Sequence, residues 1–417
     1  MGIRWRYTAR LLAVVGVAAA ASVVPILASS AQAASPTRGV VTAAKSSKAP
    51  IVVGSIVSVT GEFGSEEGVQ TTAAAKAWQT TVNNTGGIDG HPVKVIVMDD
   101  QANPTVAAQD ADTLLNQDHA VAIVGPETGT TSWYPTIEQM GIPCIGGICG
   151  SAIFFDNPKQ KYFFSVGTSS SAQITSTVAA AKAVKAKKVG VVACAETVSC
   201  TIAAQLFESA AKNVGLTYGG TQSVSASASS YAAPCLALKQ AGVDSVQLDV
   251  AAATAIRVMG TCQQQGYTPH YISVVQIADK ASIKTPAFNK LIVVSSVFPW
   301  FAKATPAQRQ FQVAINKQVP KLSTFSPAYG EYTAVTWSAF IAFQGAAQAA
   351  LSKGKSLTGA NIASALQTST DPTLGGLVGT MDWSQPTTKQ GNCFFTIGVR
   401  NGKFTQPLGS KPQCVKS

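Results

Sequence analysis

Apolar strands and amphipathic helices alternate along most of the chain. The first apolar run, Ile51 to Val59, is followed by a short polar loop with two glycines and then by an alanine-rich helix at 68–82. Buried strands that alternate with helices predict a parallel sheet with right-handed crossovers. In this first unit the pattern predicts further strands at 93–98, 121–124 and 142–145, and helices at 104–118 and up to Met140.

The same alternation starts again after Gly167. It predicts helices at 172–185, 202–214, 232–241 and 254–265, and strands at 188–193, 245–250 and 271–275. The serine-rich stretch 223–230 is interpreted as a connection. Two successive doubly wound units predict two lobes.

Three apolar segments have the character of crossings between the lobes, at 162–166, 291–297 and 375–381. Helices are predicted after the second crossing, at 306–318, 329–351 and 358–366, and a hairpin-like tail at 393–404. The predicted fold class is therefore α/β, with two doubly wound parallel-sheet lobes joined by three crossover segments.

The N-terminal residues have the pattern of an export signal. Arginines at positions 4, 6 and 10 precede an apolar run at 11–28, and Ala31-Gln32-Ala33 offers small residues for cleavage, so residues 1–33 are predicted to be a signal peptide. The apolar run is about 18 residues long, the lower limit for a membrane span, which leaves an uncleaved anchor as the alternative. Residues 34–49 are predicted to be a flexible tail.

The charge of the chain gives no indication of nucleic-acid binding. The formal net charge is +11, and removal of the three arginines in residues 1–33 leaves +8. The remaining basic residues are scattered, without aromatic-basic clusters, so a weakly basic surface is the favoured interpretation.

The cysteines predict disulfide bonds and an exported, extracytoplasmic location. The eight cysteines are Cys144, Cys149, Cys194, Cys200, Cys235, Cys262, Cys393 and Cys414. An even number favours disulfides in an oxidising compartment, and short loops favour pairing of sequence neighbours among the 105 possible arrangements. No lipid-attachment cysteine follows the apolar run. A metal site is less well supported, because there is no CxxC and the histidines at 91, 119 and 270 are far from the cysteines.

No catalytic motif is present in the sequence. GxSxG, HExxH, a P-loop and GxGxxG are all missing, and no cofactor is predicted. Asp99 and Asp100 form a carboxylate pair at a strand end, where acid-base residues occur, although a capped loop with solvated charge is the favoured interpretation. Loops rich in hydroxyls and glycine at strand ends are typical of a binding cleft. The prediction is a binding protein and not an enzyme.

Several motifs resemble those of type I periplasmic binding proteins, in the leucine/isoleucine/valine-binding group of ABC importer receptors. The motifs, between about residues 50 and 400, are VTGEFGSEEG, NNTGGIDGHPVKVIVMDD, IVGPETG, GIPCIGG, YFFSVGTSS and AYGEYTAV. The resemblance implies two lobes that close on a small molecule by hinge motion. It assigns residues 50–168 and 297–380 to the first lobe and residues 169–296 and 381–417 to the second.

The resemblance also implies a set of ligand contacts in the first lobe. Hydroxyl and backbone N–H groups of the turn after the third strand and of the following loop would hold a ligand carboxylate, at Thr128, Gly129, Thr130, Ile148 and Ser151. The loop after the first strand would add Thr60, Glu62 and Phe63.

The second lobe departs from the family pattern. The tyrosine and carboxylate that hold an α-ammonium group in the family fall at Ala251 and Gln276, neither of which can pair with a cation. A buried, unpaired ammonium group is costly, so a plain α-amino acid is disfavoured as the ligand. Asp249 or Glu196 would substitute if the register is shifted by two.

The aromatic residues Phe298, Trp300 and Phe301 lie near the second crossing. They predict either an apolar ligand face or packing in the core beside the hinge, and the sequence leaves both alternatives open.

Together, these observations predict a monomeric, exported receptor that captures a small organic molecule, amino-acid-like or an aromatic or carboxylate compound, and delivers it to an ABC permease. A ligand-sensing module of the same fold that signals to a membrane partner is the alternative. A secreted enzyme is a third class, for which the sequence offers no candidate residue.

Overall fold

Two β-sheets organise the part of the chain that the computed structural model describes, which is residues 48–60, 67–150, 161–196, 198–274, 286–318, 330–385 and 387–416. The first sheet is parallel throughout, with strand order β2-β1-β3-β4-β5. Its strands are β1 (Ile51–Val57), β2 (Val93–Asp99), β3 (Ile123–Val124), β4 (Cys144–Ile145) and β5 (Phe163–Phe164). The helices among them are α1 (Val69–Asn84), α2 (Pro104–Asp112, continued by a π-helical turn at Thr113–Gln117) and α3 (Tyr134–Met140).

Helices cover both faces of the first sheet. On one face, Trp78 of α1 stacks on Phe340, with 4.7 Å between the ring centroids. On the other face, Leu114, Trp133 and Ile137 form a second buried cluster. This two-sided burial explains the nearly unbroken apolar sequence of β1, which is typical of a central parallel strand.

The second sheet has strand order β12-β11-β10-β9-β8-β6-β7, with β13 paired to β11. Strands β6 to β10 run parallel, and β11 joins them in antiparallel orientation. The strands are β6 (Lys188–Cys194), β7 (Thr217–Val224), β8 (Ser245–Asp249), β9 (His270–Ser273), β10 (Leu291–Ser295), β11 (Cys393–Arg400), β12 (Lys403–Thr405) and β13 (Gln413–Cys414). The helices are α4 (Ser170–Ala183), α5 (Val198–Asn213), α6 (Ala232–Gln240) and α7 (Ala252–Gln264).

Three helices that follow β10 in the chain pack against the first sheet. They are α8 (Pro306–Gln318), α9 (Glu331–Ser352) and α10 (Gly359–Gln367). Helix α9 contacts α1, β3 and β4, and α8 contacts α1. The approach is close at Gly146, where φ is +68° and a Cβ atom would lie 2.4 Å from Cβ of Ala339, so only glycine fits there.

The three crossing segments are hydrogen-bonded to one another. The backbone N–H of Thr168, two residues after the first crossing, donates to the carbonyl of Ser296 in the second (3.2 Å). Trp383, two residues after the third crossing, donates from Nε1 to the carbonyl of Ser165 in the first (2.7 Å). The chain therefore passes between the sheets through one connected strip of backbone.

The predicted fold class is confirmed, but several predicted elements are wrong in detail. The first two predicted crossings contain strands, β5 and β10, and the chain crosses immediately after each strand. Strand β7 was missed because its TYGGTQSV sequence is polar and contains glycines, a composition that single-sequence patterns assign to a loop. It is an edge strand, so its polar side chains can remain hydrated. The exact lobe boundaries remain a prediction.

Four disulfide bonds join sequence neighbours, at Cys144–Cys149, Cys194–Cys200, Cys235–Cys262 and Cys393–Cys414. This is the pairing that the short loops favour. Among the described residues, no helix has both the length and the apolar character needed to cross a membrane.

The disulfide between α6 and α7 should contribute more to stability than the one beside β6. Cys235–Cys262 closes a loop of 27 residues and Cys194–Cys200 one of 6, for which loop-closure entropy gives about 3.6 and 2.2 kcal/mol. We expect the C235A/C262A double variant to lose more free energy of unfolding than C194A/C200A in urea denaturation. Equal losses would contradict the entropic argument.

Candidate functional site

The carboxyl ends of the strands at each topological switch point define the candidate site. In the first sheet β1 lies between β2 and β3, and in the second sheet β6 lies between β7 and β8. Ligands of open α/β sheets bind outside the carboxyl ends of the strands where the strand order reverses. The candidate site therefore comprises the loops after β1 and β3 in the first sheet and the loops after β6 and β8 in the second.

Asp100 is the centre of the first-sheet loops. This carboxylate is 0% exposed and follows β2. It accepts hydrogen bonds from the Ser58 hydroxyl (2.7 Å), from the Thr128 hydroxyl and from the Thr130 hydroxyl (2.9 Å). The Ala102 backbone N–H donates a further hydrogen bond to it (3.0 Å). One side chain thus joins the loops that follow β1, β2 and β3.

Asp99 holds the loop after β1. It accepts hydrogen bonds from the backbone N–H groups of Val59 (2.9 Å) and Thr60 (3.1 Å) and from the Thr60 hydroxyl (2.7 Å). Partial burial acts to raise the pKa of Asp99, but these bonds and one from the Gln101 N–H hold the pKa below its ordinary value. Asp99 caps the loop, as the sequence predicts. Asp100 is buried, so the prediction of a solvated charge is wrong for that residue.

A group of carboxyl side chains lies near the same loops. Glu127 follows β3, Glu67 precedes α1 and Glu331 begins α9. Burial, and then the nearby Glu67 and Glu331, raise the pKa of Glu127 well above its ordinary value. Burial also raises the pKa of Glu331 to about 7, and interaction with the Ser295 side chain opposes this shift. Tyr332 donates a hydrogen bond from its hydroxyl to Glu67 Oε1 (2.7 Å).

Sequence reasoning did not include these three glutamates among the site residues. Glu127 and Glu331 lie inside two of the motifs that carry the family resemblance, IVGPETG and AYGEYTAV. Their position in those motifs was the available signal. Their proximity to one another could not be found from the sequence, because 204 positions separate them.

Asp249 ends β8 at the switch point of the second sheet. Its Oδ1 atom accepts a hydrogen bond from Gln247 Nε2 (2.8 Å). Its Oδ2 atom is buried and has no hydrogen-bond partner among the described residues. Burial raises the pKa of Asp249 to about 6, and the bond from Gln247 opposes the shift.

The other predicted residues of the second lobe have different surroundings. Glu196 is exposed and accepts hydrogen bonds from the Ala226 N–H (2.6 Å) and the Ser225 hydroxyl (2.9 Å), which lower its pKa. Ala251 is the exposed N-cap of α7. Glu196 therefore holds the serine-rich loop, and of these residues only Asp249 has a buried acceptor atom left over.

In the first lobe, Gly129 is exposed and Ile148 is partly buried. The Ile148 N–H donates to the carbonyl of Pro126 (2.9 Å). Four of the predicted contacts lie outside the described residues, at Glu62, Phe63, Ser151 and Gln276.

The aromatic residues near the second crossing belong to the core. Trp300 is 1% exposed and packs edge-on against Phe301 and Phe404. Phe298 is completely buried against Phe311. Of the two alternatives that the sequence left open, the structure favours core packing beside the hinge.

Within the described ranges, no group of histidine, cysteine, aspartate or glutamate side chains has the arrangement needed for a metal ion. A shallow groove of about 810 Å³ runs along α2, from Pro104 to Gln117. Ser132, in the loop after β3, also lines it.

Replacement of Asp100 should destabilise the protein far more than replacement of its neighbour. Asp100→Ala would leave several buried donors without an acceptor, and we expect it to lose about 3–5 kcal/mol of unfolding free energy. Asp99→Ala removes a partly exposed acceptor and should lose about 1 kcal/mol. Urea denaturation of both variants checks this, and similar losses would contradict the central role of Asp100.

The raised pKa of Asp249 should make stability fall as pH rises. The unfolded aspartate loses its proton near pH 3.8 and the folded one near pH 6, so the folded state binds more protons between these values. The free energy of unfolding should therefore decrease through this window, by up to about 3 kcal/mol from this group.

Asp249→Asn should remove that part of the pH dependence. We expect urea denaturation between pH 4 and 8 to show a flatter stability curve for the variant and a gain in stability near pH 7. In both proteins the free energy of unfolding should still decrease somewhat up to about pH 7, because the pKa of Glu331 is also raised. Parallel curves would contradict the burial of the Asp249 carboxyl.

The comparisons with known proteins agree on one family. The sequence profile of the family described as periplasmic binding protein matches residues 50–403. None of the curated proteins compared with the chain matches it.

Solved structures share the fold at low sequence identity. A branched-chain amino acid ABC transporter structure from Thermus thermophilus with bound valine is 16% identical, with a TM-score of 0.73, and the match covers 88% of this chain and 97% of that one. A fatty acid ABC transporter substrate-binding protein from Thermomonospora curvata is 17% identical, with a TM-score of 0.63, covering 87% and 92%. A leucine-binding protein from Thermotoga maritima is 16% identical, with a TM-score of 0.65, covering 85% and 97%.

The family match spans most of the chain, and the two doubly wound sheets are those of the type I fold. The neighbours are binding proteins and not enzymes. The chain belongs to the periplasmic binding protein family.

Proposed function

We propose that the chain is the extracytoplasmic solute-binding protein of an ABC importer, which captures a small organic ligand between two lobes and delivers it to a membrane permease. The proposal rests on one observation, that polar loops lie at both switch points. The family match over residues 50–403 supports it. The solved relatives named above are ABC transporter binding proteins for branched-chain amino acids or fatty acids.

The packing supports the proposed division into lobes. Helix α9 contacts strands β3 and β4 of the first sheet and also α1. Helix α8 contacts α1, and α10 packs on α9, although all three helices follow a strand of the second sheet. This placement fits a first lobe made of residues 50–168 and 297–380, and a second made of 169–296 and 381–417. The interlinked crossings between them are the natural place for a hinge, because few backbone changes there would move each lobe as a unit.

The ligand would lie between the loops at the two switch points. We propose Thr60 and Glu127 on the first lobe and Asp249 on the second as residues at the ligand. The ordered loops of the first lobe, held by Asp99 and Asp100, supply a preformed wall. Such preorganisation reduces the entropy lost on binding.

Export is supported by the four disulfide bonds, which suit an oxidising compartment. Residues 1–33 remain the predicted signal peptide. N-terminal sequencing of the mature protein is the direct measurement of the cleavage site.

Thermal denaturation with a broad panel of small metabolites tests the proposed function. A ligand at one hundred times its dissociation constant adds about 2.7 kcal/mol of stability, so we expect at least one compound to raise the melting temperature by several degrees. Asp249→Asn should reduce that increase, while Asp112→Asn, an exposed aspartate on α2, should leave it unchanged.

Capture of membrane partners from the native host with the ligand-loaded protein gives the second half of the test. We expect recovery of an ABC permease. Recovery of a signalling kinase or receptor would favour a sensor of the same fold, and a folded protein that no compound stabilises would contradict ligand capture.

A further inference from the structure

The hydroxyls of Ser58, Thr128 and Thr130 in the first-lobe loops are not available as donors to a ligand carboxylate. A threonine hydroxyl has a single proton to donate. The hydroxyls of Thr128 and Thr130 both donate to Oδ2 of Asp100. The same carboxylate takes the proton of Ser58 through its other oxygen. The hydroxyls can still accept hydrogen bonds, but their protons are engaged inside the protein.

Two backbone N–H groups of the same wall also donate to acceptors within the protein. The Thr130 N–H donates to the Thr128 hydroxyl oxygen (3.0 Å), and the Ile148 N–H donates to the carbonyl of Pro126 (2.9 Å). Four donors that the family resemblance nominates for a ligand carboxylate are therefore already paired. The local chemistry differs from the one that the resemblance implies.

The acidic side chains beside this wall act against an anionic ligand. Glu127 directly precedes Thr128, and the carboxyl groups of Glu67 and Glu331 lie close enough to disfavour its ionisation. No lysine or arginine among the described residues forms a salt bridge with Glu127. A carboxylate placed here would bring a negative charge beside carboxyl groups that already disfavour one another's ionisation, at low dielectric, where like charges repel strongly.

The switch point of the second sheet also offers an acceptor. The buried Oδ2 atom of Asp249 has no donor among the described residues. A desolvated acceptor without a partner is costly in a folded protein, and such an atom is often explained by a missing ligand or water. This observation is independent of the first-lobe hydrogen bonds.

We propose that the cleft selects a small organic cation, an amine or guanidinium compound, whose N–H groups are held by acceptors at the switch points, and that its first-lobe wall does not bind a carboxylate. This inference rests on the proposed solute-binding function and names its ligand class. The residues that carry it are Glu127 with the engaged Thr128 and Thr130 on one lobe, and Asp249 on the other.

Matched ligands with one carbon skeleton test the proposal directly. The first set is 3-methylbutylamine, leucine and 4-methylpentanoate, and the second is phenethylamine, phenylalanine and 3-phenylpropanoate, with agmatine and putrescine as further cations. By titration calorimetry at pH 7.5 we expect at least one cation to bind about tenfold or more tightly than every carboxylate in the set. Tighter binding of a carboxylate or an amino acid would overturn the proposal.

Proton linkage provides a second measurement. A cation beside Glu127 favours its ionised form, so binding should release protons and affinity should rise with pH. The groups around this carboxyl are Glu67, Glu331, Tyr134 and Tyr332. Calorimetry of the strongest cation in buffers of different ionisation enthalpy measures the proton count. Proton uptake would contradict the proposal.

Variants separate the charge of Glu127 from its structural role. Glu127→Gln should weaken binding of the strongest cation about tenfold or more, and Glu127→Asp, which keeps the charge, should recover part of the loss. Glu138→Gln, an exposed glutamate on α3, is the matched control. Circular dichroism and melting temperature show whether each variant folds. Equal affinity of the folded Glu127→Gln variant and the native protein would overturn the role of Glu127.

The two proposals fail in different ways. If carboxylates bind and cations do not, ligand capture stands and the cation preference is wrong. If neither these compounds nor a broad metabolite library binds the folded protein, ligand capture and the cation preference are both wrong.

Discussion

The buried carboxylate of Asp100 is the interaction on which the candidate site depends. It follows β2, yet it collects hydroxyl protons from the loops after β1 and β3. Loops at the ends of parallel strands have few backbone hydrogen bonds of their own, so a shared charged acceptor fixes their relative positions. Without it, the first-lobe wall would lose its common anchor.

That arrangement has a consequence for ligand chemistry. Hydroxyl groups at a switch point are ambiguous in sequence, because they can donate or accept. A buried carboxylate behind them removes the ambiguity, since it takes their protons and leaves their lone pairs for other contacts. The same hydroxyl-rich motif can thus serve different ligands in one fold, depending on what lies behind it.

The second structural dependence is the strip of hydrogen-bonded crossings between the sheets. Three chain segments that are distant in sequence meet there, at Ser165, Ser296 and Trp383. The return of α9 to the first sheet places Glu331 at the same junction, beside Ser295 at the end of β10. Elements of both sheets therefore meet close to the candidate site.

The fold class, the order of most strands and helices, and the family could all be predicted from the sequence, which also favoured the four disulfide pairs that the structure contains. These depend on local periodicity, short cysteine loops and ordered motifs, all of which are continuous in the chain. It failed at β7, whose polar edge-strand sequence imitates a loop, and at the crossings, where strand and connection share one apolar run.

The hydrogen bonds and burial of the site residues became known only from the folded structure. It buried Asp100 behind Thr128 and Thr130, gathered Glu67, Glu127 and Glu331, and placed Trp300 in the core. The sequence offered Asp249 and Glu196 as substitutes for the family's ammonium-binding carboxylate. In the structure Asp249 has a buried carboxylate oxygen, whereas Glu196 is exposed. The physical reason is that hydrogen bonding and desolvation depend on neighbours tens to hundreds of residues away, which no local pattern records.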